Sequence, residues 1–193
     1  MDESTYVYPG TTILKNKLDI RDKKKLDQWE RLMTAKRHLQ LMARPLSGSF
    51  DLAHLQRIHK HLFQDVYEWA GQIRKVVISK PPTLFCLPRM IQSEADRIFG
   101  ELRDERYLTR LDAQNFAERV AYYLSEINVL HPFREGNGRT QREFIRCLGL
   151  KSGYVIDWAV ADKDDLKVAM IEASIKSEEK LAQIILTCIV NRK

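Results

Sequence analysis

The sequence has no long run of apolar residues and no phosphate-binding loop of the G-x-x-x-x-G-K-(S/T) type. A membrane-spanning helix needs about 20 apolar residues, and no segment approaches that length. The first four residues also lack the basic and apolar regions of a signal peptide. We therefore expect no membrane span and no secretory leader, and the missing loop excludes a P-loop nucleoside triphosphatase.

Cysteine is scarce too, and linkers, repeats and low-complexity tracts are missing. Cys86, Cys147 and Cys188 are odd in number, far apart and without the spacing of a zinc site, which predicts reduced thiols in a cytoplasmic protein. Of the 193 residues, 44% are hydrophobic and 30% are charged. This length and composition suit one globular domain over residues 1–193.

Apolar residues recur at three- and four-residue spacing along most of the chain, which predicts an all-α protein, an orthogonal helical bundle. The predicted helices cover residues 22–42, 52–69, about 92–102, about 113–130, 139–150, 162–175 and 178–190. Asp51 is a plausible N-cap of the second helix, and Gly149 and Gly153 would bring the fifth to an end.

Two β-prone stretches interrupt this helical pattern, at residues 73–79 and 83–87, with Lys80-Pro81-Pro82 between them. They predict a short hairpin, whose open edge could pair with an extended segment of a target protein. The alternative is a simple connector between helices. The candidate docking residues are Ile78, Ser79, Lys80, Thr83, Leu84 and Phe85.

The most informative segment, residues 131–142, reads HPFREGNGRTQR and lies between two predicted helices. Gly136, Asn137 and Gly138 would form a tight loop at the N-terminus of the second helix. Free backbone N–H groups and the helix dipole favour an anion there. Glycine lets an anion approach closely, and asparagine is a good N-cap.

The remaining polar residues of this segment suit a phosphate site with a base. Arg139 and Arg142 are three residues apart, so they should leave one helix face and bind successive phosphates of a nucleoside triphosphate. We interpret Glu135 as an oxygen ligand for Mg²⁺. His131, with an ordinary pKa of about 6.5, can accept a proton from a hydroxyl. Phe133 is expected to turn inward and anchor the loop.

Each of these features also has a simpler explanation. A His-Pro pair can be a helix stop, Gly-Asn-Gly can be a turn, and the two arginines can be a solvated face. The functional interpretation is favoured because base, metal ligand, anion loop and arginines occur together, in the order and at the spacing that one mechanism needs.

Residues 131–142 resemble the Fic motif, H-x-F-x-(D/E)-G-N-G-R-x-x-R, and match it at every defined position. Residues 62–74, LFQDVYEWAGQIR, resemble the helix-to-flap segment of this family, and residues 126–130 resemble its usual lead-in. The resemblance implies the Fic fold, a helical bundle with a short β-hairpin flap. It places a Fic core at residues 51–193, with the flap at about 73–88, after an N-terminal extension of residues 1–50.

The resemblance also implies a reaction, the transfer of AMP from ATP to a Ser, Thr or Tyr hydroxyl of another protein, with release of pyrophosphate. It makes His131 the base, Glu135 the Mg²⁺ ligand and residues 136–138 the anion hole. Arg139 and Arg142 would contact the β- and γ-phosphates. Gly138 argues against the Doc-type kinases, in which a lysine stands at this position and the nucleotide binds reversed.

Three other functions remain open within the family. Some branches transfer another phosphate-containing group, phosphocholine among them. A non-catalytic module that binds nucleotide or protein would have little reason to keep the base, the metal ligand and both arginines. An enzyme that removes AMP would use an inhibitory glutamate to position water.

That glutamate belongs to the pattern (S/T)-x-x-x-E-(G/N), which silences many Fic proteins. Ser174 and Glu178 have the right spacing here, but Glu179 breaks the pattern. We therefore expect no self-inhibition, and a separate small antitoxin that supplies a glutamate to Arg142.

The N-terminal segments YVYPG, residues 6–10, and LKNKL, residues 14–18, resemble the lead-in of Fic toxins and of Fic domains in type IV secretion effectors. One interpretation is the catalytic part of a longer bacterial effector, which would be delivered into a host cell. The other is that these residues cap the bundle.

Two last features predict little. His54, His59 and His61 share one predicted helix, but the last two face different ways, so surface positions are expected and not a metal site. The net charge of +6, with lysines at 23–25, could suggest nucleic acid. No nucleic-acid-binding motif accompanies it, so no such partner is expected.

Overall fold

The fold is built around one long buried helix, residues 113–130, in a computed structural model that describes residues 5–81 and 83–191. The first four residues, where no leader is expected, and Pro82 in the predicted hairpin turn lie outside this description. The α-helices are α1 (Lys23–Ala43), α2 (Leu52–Phe63), α3 (Ile91–Asp104), α4 (Ala113–Leu130), α5 (Asn137–Ser152), α6 (Lys163–Ala173) and α7 (Glu179–Cys188). Short 3₁₀ turns lie at Pro88–Met90, Arg106–Leu108 and Trp158–Val160.

Helix α4 forms the centre of the bundle, and α3, α5, α6 and α7 pack around it. The Asp112 side chain caps it by accepting from the Asn115 amide at 2.9 Å. Phe116, Val120 and Ile127 are fully buried along its length. The predicted all-α fold is confirmed. None of the helices in residues 5–81 and 83–191 combines the length and the hydrophobicity that a membrane crossing requires.

The hairpin exists but is shorter than predicted. Strands β1 (Ser79–Lys80) and β2 (Thr83–Leu84) pair antiparallel, with Ser79 opposite Leu84. Below them the backbone amides of the two arms bond to the α4–α5 junction: the Arg74 amide donates to Pro132 O and the Cys86 amide to Val129 O, both at 2.9 Å. The junction thus replaces the lower part of the predicted ladder.

Helix α2 ends at Phe63, six residues before the predicted end at residue 69. The amides of Val66 and Tyr67 both donate to the Phe63 carbonyl, and turns follow as far as Gly71. Val66, Tyr67 and Trp69 are nevertheless buried. Because the spacing of these apolar residues also fits a helix, the predicted end of α2 was too late.

The segment before α1 lies on the core. The Tyr6 hydroxyl accepts from the Lys75 amide at 3.2 Å, and the Lys17 amide donates to Val66 O at 2.9 Å. Helix α1 itself buries Leu26 and Leu41 in the same core as α4. Residues ahead of the core therefore reach the underside of the hairpin.

Candidate active site

His131 ends α4 with left-handed backbone angles, φ 43° and ψ 60°. Its amide donates to Ile127 O at 3.1 Å, and its ring Nδ1 lies 3.0 Å from Asn128 O. A carbonyl only accepts, so Nδ1 carries the hydrogen and the neutral ring keeps the lone pair of Nε2. Burial lowers the pKa of His131 to about 4. The ring is therefore uncharged at neutral pH, as a proton acceptor must be.

Two residues of the hairpin arms hold His131 in place. The Phe85 ring stacks on the imidazole, with centroids 3.7 Å apart and planes inclined by 21°. The buried Arg74 guanidinium donates to the carbonyls of His131 at 2.7 Å and Val76 at 2.8 Å, and to that of Cys86. The sequence analysis placed Arg74 at the start of the flap, where the helix-to-flap segment ends, without giving it this role.

The loop that follows His131 is built on Phe133 and Asn137. Phe133 is 1% exposed and stacks on His59 at 3.9 Å, so it lies inward as expected. The Asn137 side chain makes two hydrogen bonds with the Phe133 backbone. Its Oδ1 accepts from the Phe133 N–H at 3.0 Å, and its Nδ2 donates to the Phe133 carbonyl at 2.7 Å. Asn137 is thus the first residue of α5, and the N-cap is Gly136, contrary to the prediction.

Gly136 is needed for packing and not for the approach of an anion. Its φ is 83°, and a Cβ there would lie 2.2 Å from Cζ of Phe63. Its amide is also not free, because it donates to Glu135 Oε1 at 2.8 Å. The amides of Asn137 and Gly138 have no acceptor in the described part of the chain. They remain the donors that the N-terminus of α5 offers to an anion.

A cavity of about 960 Å³ lies beside this N-terminus. Hairpin and motif residues both line it, and α6 contributes Lys163, Lys167 and Met170. The motif residues in its lining are His131, Arg134, Glu135, Asn137, Gly138, Gln141 and Arg142. His131 and the residues of the α5 N-terminus therefore line one partly open cavity.

Most of the predicted docking residues also line this cavity: Ile78, Ser79, Lys80, Thr83 and Phe85. Leu84 is outside it and is 67% exposed. The Thr83 hydroxyl lies 3.4 Å from the hydroxyl of Ser174, just after the end of α6. The hairpin thus closes one side of the cavity and contacts the neighbouring helix.

The two arginines do not share the cavity. Arg142 lines it, and within residues 5–81 and 83–191 no carboxylate or carbonyl accepts from its guanidinium; burial lowers its pKa. Arg139 lines a second cavity, of about 460 Å³, and donates to Glu30 Oε1 at 2.6 Å. The expectation of one helix face that binds successive phosphates overlooked Glu30, which lies 109 residues away in sequence.

Glu135 lines both cavities, and its side chain is 40% exposed. Oε1 accepts from the Gly136 amide, whereas Oε2 has no hydrogen bond within the described ranges. The described residues contain no cluster of three acidic, histidine or cysteine side chains that could hold a metal alone. A single accessible carboxylate beside the amide donors of the α5 N-terminus fits Mg²⁺, which can take its other ligands from phosphates and water.

The expectation of surface histidines is wrong for His54 and His59, which are 1% and 0% exposed. His59 accepts from the Gly71 amide at 2.8 Å and donates from Nε2 to the Glu135 carbonyl at 2.9 Å. Burial lowers its pKa to about 4. The neutral ring links the turn after α2 to the motif loop, a role that spacing along one helix could not reveal.

The sequence profile of the Fic/DOC family matches residues 49–148, which include the whole cavity-lining loop. The chain belongs to the Fic/DOC family.

Two curated relatives are named as a protein adenylyltransferase and a probable protein adenylyltransferase. The chain is 42% identical over 180 residues to the protein adenylyltransferase VbhT of Bartonella schoenbuchensis, an alignment that covers 93% of this chain but 38% of that protein. It is 41% identical over 172 residues to "probable protein adenylyltransferase y4lH" of Sinorhizobium fredii, covering 89% of this chain and 88% of that protein. The chain thus spans less than half of the first relative and most of the second.

Solved Fic structures share the whole fold. The BepC protein of Bartonella tribocorum, a VirB-translocated effector with bound AMPPNP, superposes with a TM-score of 0.91 at 29% identity, covering 98% of both chains. The Fic domain of a VirB-translocated effector from Bartonella quintana with bound ADP gives a TM-score of 0.91 at 30% identity, covering 98% of this chain and 96% of that one. The predicted Fic fold is confirmed.

Three residues near the Fic motif escaped the sequence interpretation as site residues: Glu30, His59 and Tyr67. Glu30 reaches the motif from α1, outside the matched residues 49–148. His59 and Tyr67 lie inside this range, but only the stacking of His59 on Phe133 and the hydrogen bond from the Tyr67 hydroxyl to Glu30 show their roles. Local spacing carries no signal for such distant contacts.

Proposed function

We propose that this chain is a protein adenylyltransferase, which transfers AMP from ATP to a Ser, Thr or Tyr hydroxyl of a target protein. The observation that carries the proposal is the placement of a neutral, oriented imidazole in one cavity with the donors of the α5 N-terminus and with Arg142, whose guanidinium has no acceptor among the described residues. The names of the relatives and the nucleotides bound to the solved neighbours support it.

The chemistry needs one base and one anion site. The target hydroxyl gives its proton to Nε2 of His131 as its oxygen attacks the α-phosphorus. The new O–P bond forms as the bond between the α-phosphorus and the bridging oxygen breaks, and pyrophosphate leaves. The amides of Asn137 and Gly138, with Arg142, stabilise the negative charge on the phosphates.

Mg²⁺ would be held by Glu135, whose Oε2 is available, together with phosphate oxygens and water. The ion would supply charge neutralisation at the phosphates. Within the protein, the carboxylate is kept in place by the Gly136 amide on Oε1 and by the His59 ring on the carbonyl of the same residue.

The hairpin is the proposed docking site for the target. It lines the same cavity as the Fic motif, and its Phe85 touches the imidazole that would receive the proton. A target segment paired along the exposed edge would place a hydroxyl beside His131. Lys80 is exposed on this hairpin and lines the cavity.

The domain boundaries follow from the same contacts. We propose that the N-terminal extension and the Fic core form a single domain, because α1 packs into the common core and sends Glu30 to the Fic motif. Delivery into a host cell is proposed on the likeness to the VirB-translocated effectors.

An antitoxin that supplies a glutamate to Arg142 remains a proposal, supported by the lack of an acidic partner for this arginine in the described residues. Glu178, from the incomplete inhibitory pattern, lies at the start of α7 and outside the cavity lining. A Glu178→Gly variant should therefore label its target no faster than the wild-type chain. A large rise would make this glutamate inhibitory.

The test of the proposed reaction is labelling of proteins in a lysate with ATP that carries ³²P in the α-position. The wild-type chain with Mg²⁺ should transfer the label, and His131→Ala should lower the rate by roughly 10²–10⁴-fold. His38→Ala, at a half-exposed position on α1, is the matched control and should keep full activity.

Two outcomes would contradict the proposal. Transfer of label from the γ-position would mean a kinase reaction. Binding of AMPPNP without any label transfer would favour the alternative of a nucleotide-binding module.

A further inference from the structure

The Arg139 side chain lies in a site built entirely from other parts of the protein. Its Nη2 donates to Glu30 Oε1 at 2.6 Å, and its Nη1 lies 3.3 Å from the Thr34 hydroxyl. The guanidinium covers the ring of Phe63, with its carbon 4.7 Å from the ring centroid. Three contacts, from α1 and α2, therefore fix one arginine of the Fic motif.

Glu30 is itself held firmly. Its second oxygen, Oε2, accepts from the hydroxyl of Tyr67, a residue that is 1% exposed. The Glu30 side chain is 14% exposed, against 31% for Arg139. The carboxylate therefore has one fixed position, and it fixes the arginine in turn.

Arg139 also lies close to a second carboxylate. Its Nη2 is 3.9 Å from Glu135 Oε1, so a small rotation would bring the two into direct contact. Glu30 neutralises the guanidinium at shorter range and leaves Glu135 accessible to the cavity. Without Glu30, the arginine would turn towards Glu135, the carboxylate that the proposed reaction needs for its metal ion.

We propose that Glu30 is a positioning residue of the transfer reaction, holding the Arg139 guanidinium at the N-terminus of α5 for the β- and γ-phosphates of ATP and keeping it off Glu135. This inference rests on the proposed function. A guanidinium has five N–H donors, and the contacts to Glu30 and Thr34 use two of them. The remaining donors can bind phosphate while the carboxylate stays in place.

The alternative is that Glu30 restrains Arg139 and inhibits nucleotide binding. The two possibilities predict opposite changes in the affinity of the Glu30→Gln variant for a triphosphate. If Glu30 positions the arginine, Glu30→Gln weakens the binding of a triphosphate. If Glu30 restrains it, the same change strengthens binding.

The experiment measures the affinity of AMPPNP and of AMP by titration calorimetry in the presence of Mg²⁺. Glu30→Gln should weaken AMPPNP binding by about tenfold, as expected for a lost charge-assisted contact. It should leave AMP affinity unchanged, because AMP lacks the phosphates that Arg139 would meet. A general loss of structure would lower both affinities.

A double-mutant cycle with Arg139→Gln tests whether Glu30 acts through the arginine. AMPPNP should bind the double variant no more weakly than it binds Arg139→Gln alone. Tyr67→Phe, which removes the hydroxyl that holds Glu30, should weaken binding about two- to threefold in the same direction. This milder variant tests the inference even if Glu30→Gln unfolds.

Asp27→Asn is the matched control, because Asp27 lies on α1 one turn before Glu30 and pairs with Lys23 on the surface. It should bind AMPPNP like the wild-type chain. Unchanged or tighter binding by Glu30→Gln, or additive losses in the double variant, would overturn the inference alone. If the wild-type chain binds no AMPPNP, the proposed function fails and the inference falls with it.

Discussion

The N-terminus of α5 has two sides with opposite surroundings. On the packed side, formed by Gly136, the Asn137 side chain and Arg139, protein groups bond to the Gly136 amide, to the Asn137 side-chain amide and to part of the Arg139 guanidinium. On the open side, formed by Gly138 and Arg142, donors face a cavity without acceptors from the described residues. The first two turns of α5 thus contain residues that build the loop and residues whose donors face the cavity.

This difference shows that one motif combines residues that pack the loop with residues that are available to bind a ligand. Residues that resemble one another in the sequence, two glycines and two arginines, divide between packing and binding. Proteins satisfy their buried polar groups, so donors left without acceptors in a cavity indicate a ligand that supplies them. By this criterion the open side offers donors to an anion, as does the part of the Arg139 guanidinium that Glu30 and Thr34 leave without a partner in the described residues.

The largest difference in stability is expected between alanine substitutions at Gly136 and at Gly138. Gly136→Ala puts a Cβ 2.2 Å from the Phe63 ring at a φ of 83°, so it should lower the free energy of unfolding by about 3 kcal/mol. At Gly138 a Cβ would meet only Arg142 Nη1, at 3.4 Å. Gly138→Ala should leave stability unchanged but weaken AMPPNP binding. Urea denaturation and calorimetry measure the two effects.

If Gly138→Ala were as destabilising as Gly136→Ala, the division into a packed and an open side would be wrong. Normal AMPPNP affinity in the Gly138→Ala protein would also count against an anion on the open side.

The two arginines should show a smaller contrast in stability. Arg139→Ala leaves the half-buried Glu30 with Tyr67 as its remaining partner, so it should cost about 1–3 kcal/mol. Arg142→Ala removes a guanidinium that has no acidic partner in the described residues, and its melting temperature should equal or exceed that of the wild-type chain. Both variants should bind AMPPNP less tightly.

Differential scanning calorimetry without nucleotide is the measurement. A lower melting temperature for Arg142→Ala than for Arg139→Ala would reverse the assignment of the two side chains.

Local patterns in the sequence predicted most of this architecture. The seven helices follow apolar periodicity, and the motif located the loop between α4 and α5. The wrong end of α2 has a clear cause. Periodicity reports which residues are buried, so Val66 extended the predicted helix, although its amide bonds to the Phe63 carbonyl in a turn.

Within the site, the sequence named groups but not their partners. The contact of Glu30 with Arg139 and the burial of His59 under the motif loop depend on how distant segments meet. Asn137 was a good N-cap by residue type, yet its side chain bonds to Phe133 because the chain folds back at that point. Residue chemistry can be predicted locally, whereas the choice among several acceptors is made by the fold.

The smallest expected effect is the pH dependence that His131 causes. This residue combines both kinds of surroundings, because protein groups hold its ring while it also lines the cavity. Its pKa of about 4 lies below the ordinary 6.5 because the ring is buried. The base form therefore persists to low pH, and the transfer rate should stay nearly constant from pH 8 to pH 6 and fall only as the pH approaches 4.

The same lowered pKa predicts the direction in which stability changes with pH. The unfolded chain takes up a proton on this histidine between pH 6.5 and about 4, and the folded chain does not, so this group lowers stability progressively as pH falls through that window. His131→Gln should therefore lose less stability than the wild-type chain between pH 7.5 and 5, by on the order of 1 kcal/mol. Equal losses in urea denaturation, together with a rate that halves near pH 6.5, would mean that His131 is solvated like a surface histidine and that the hairpin does not cover it.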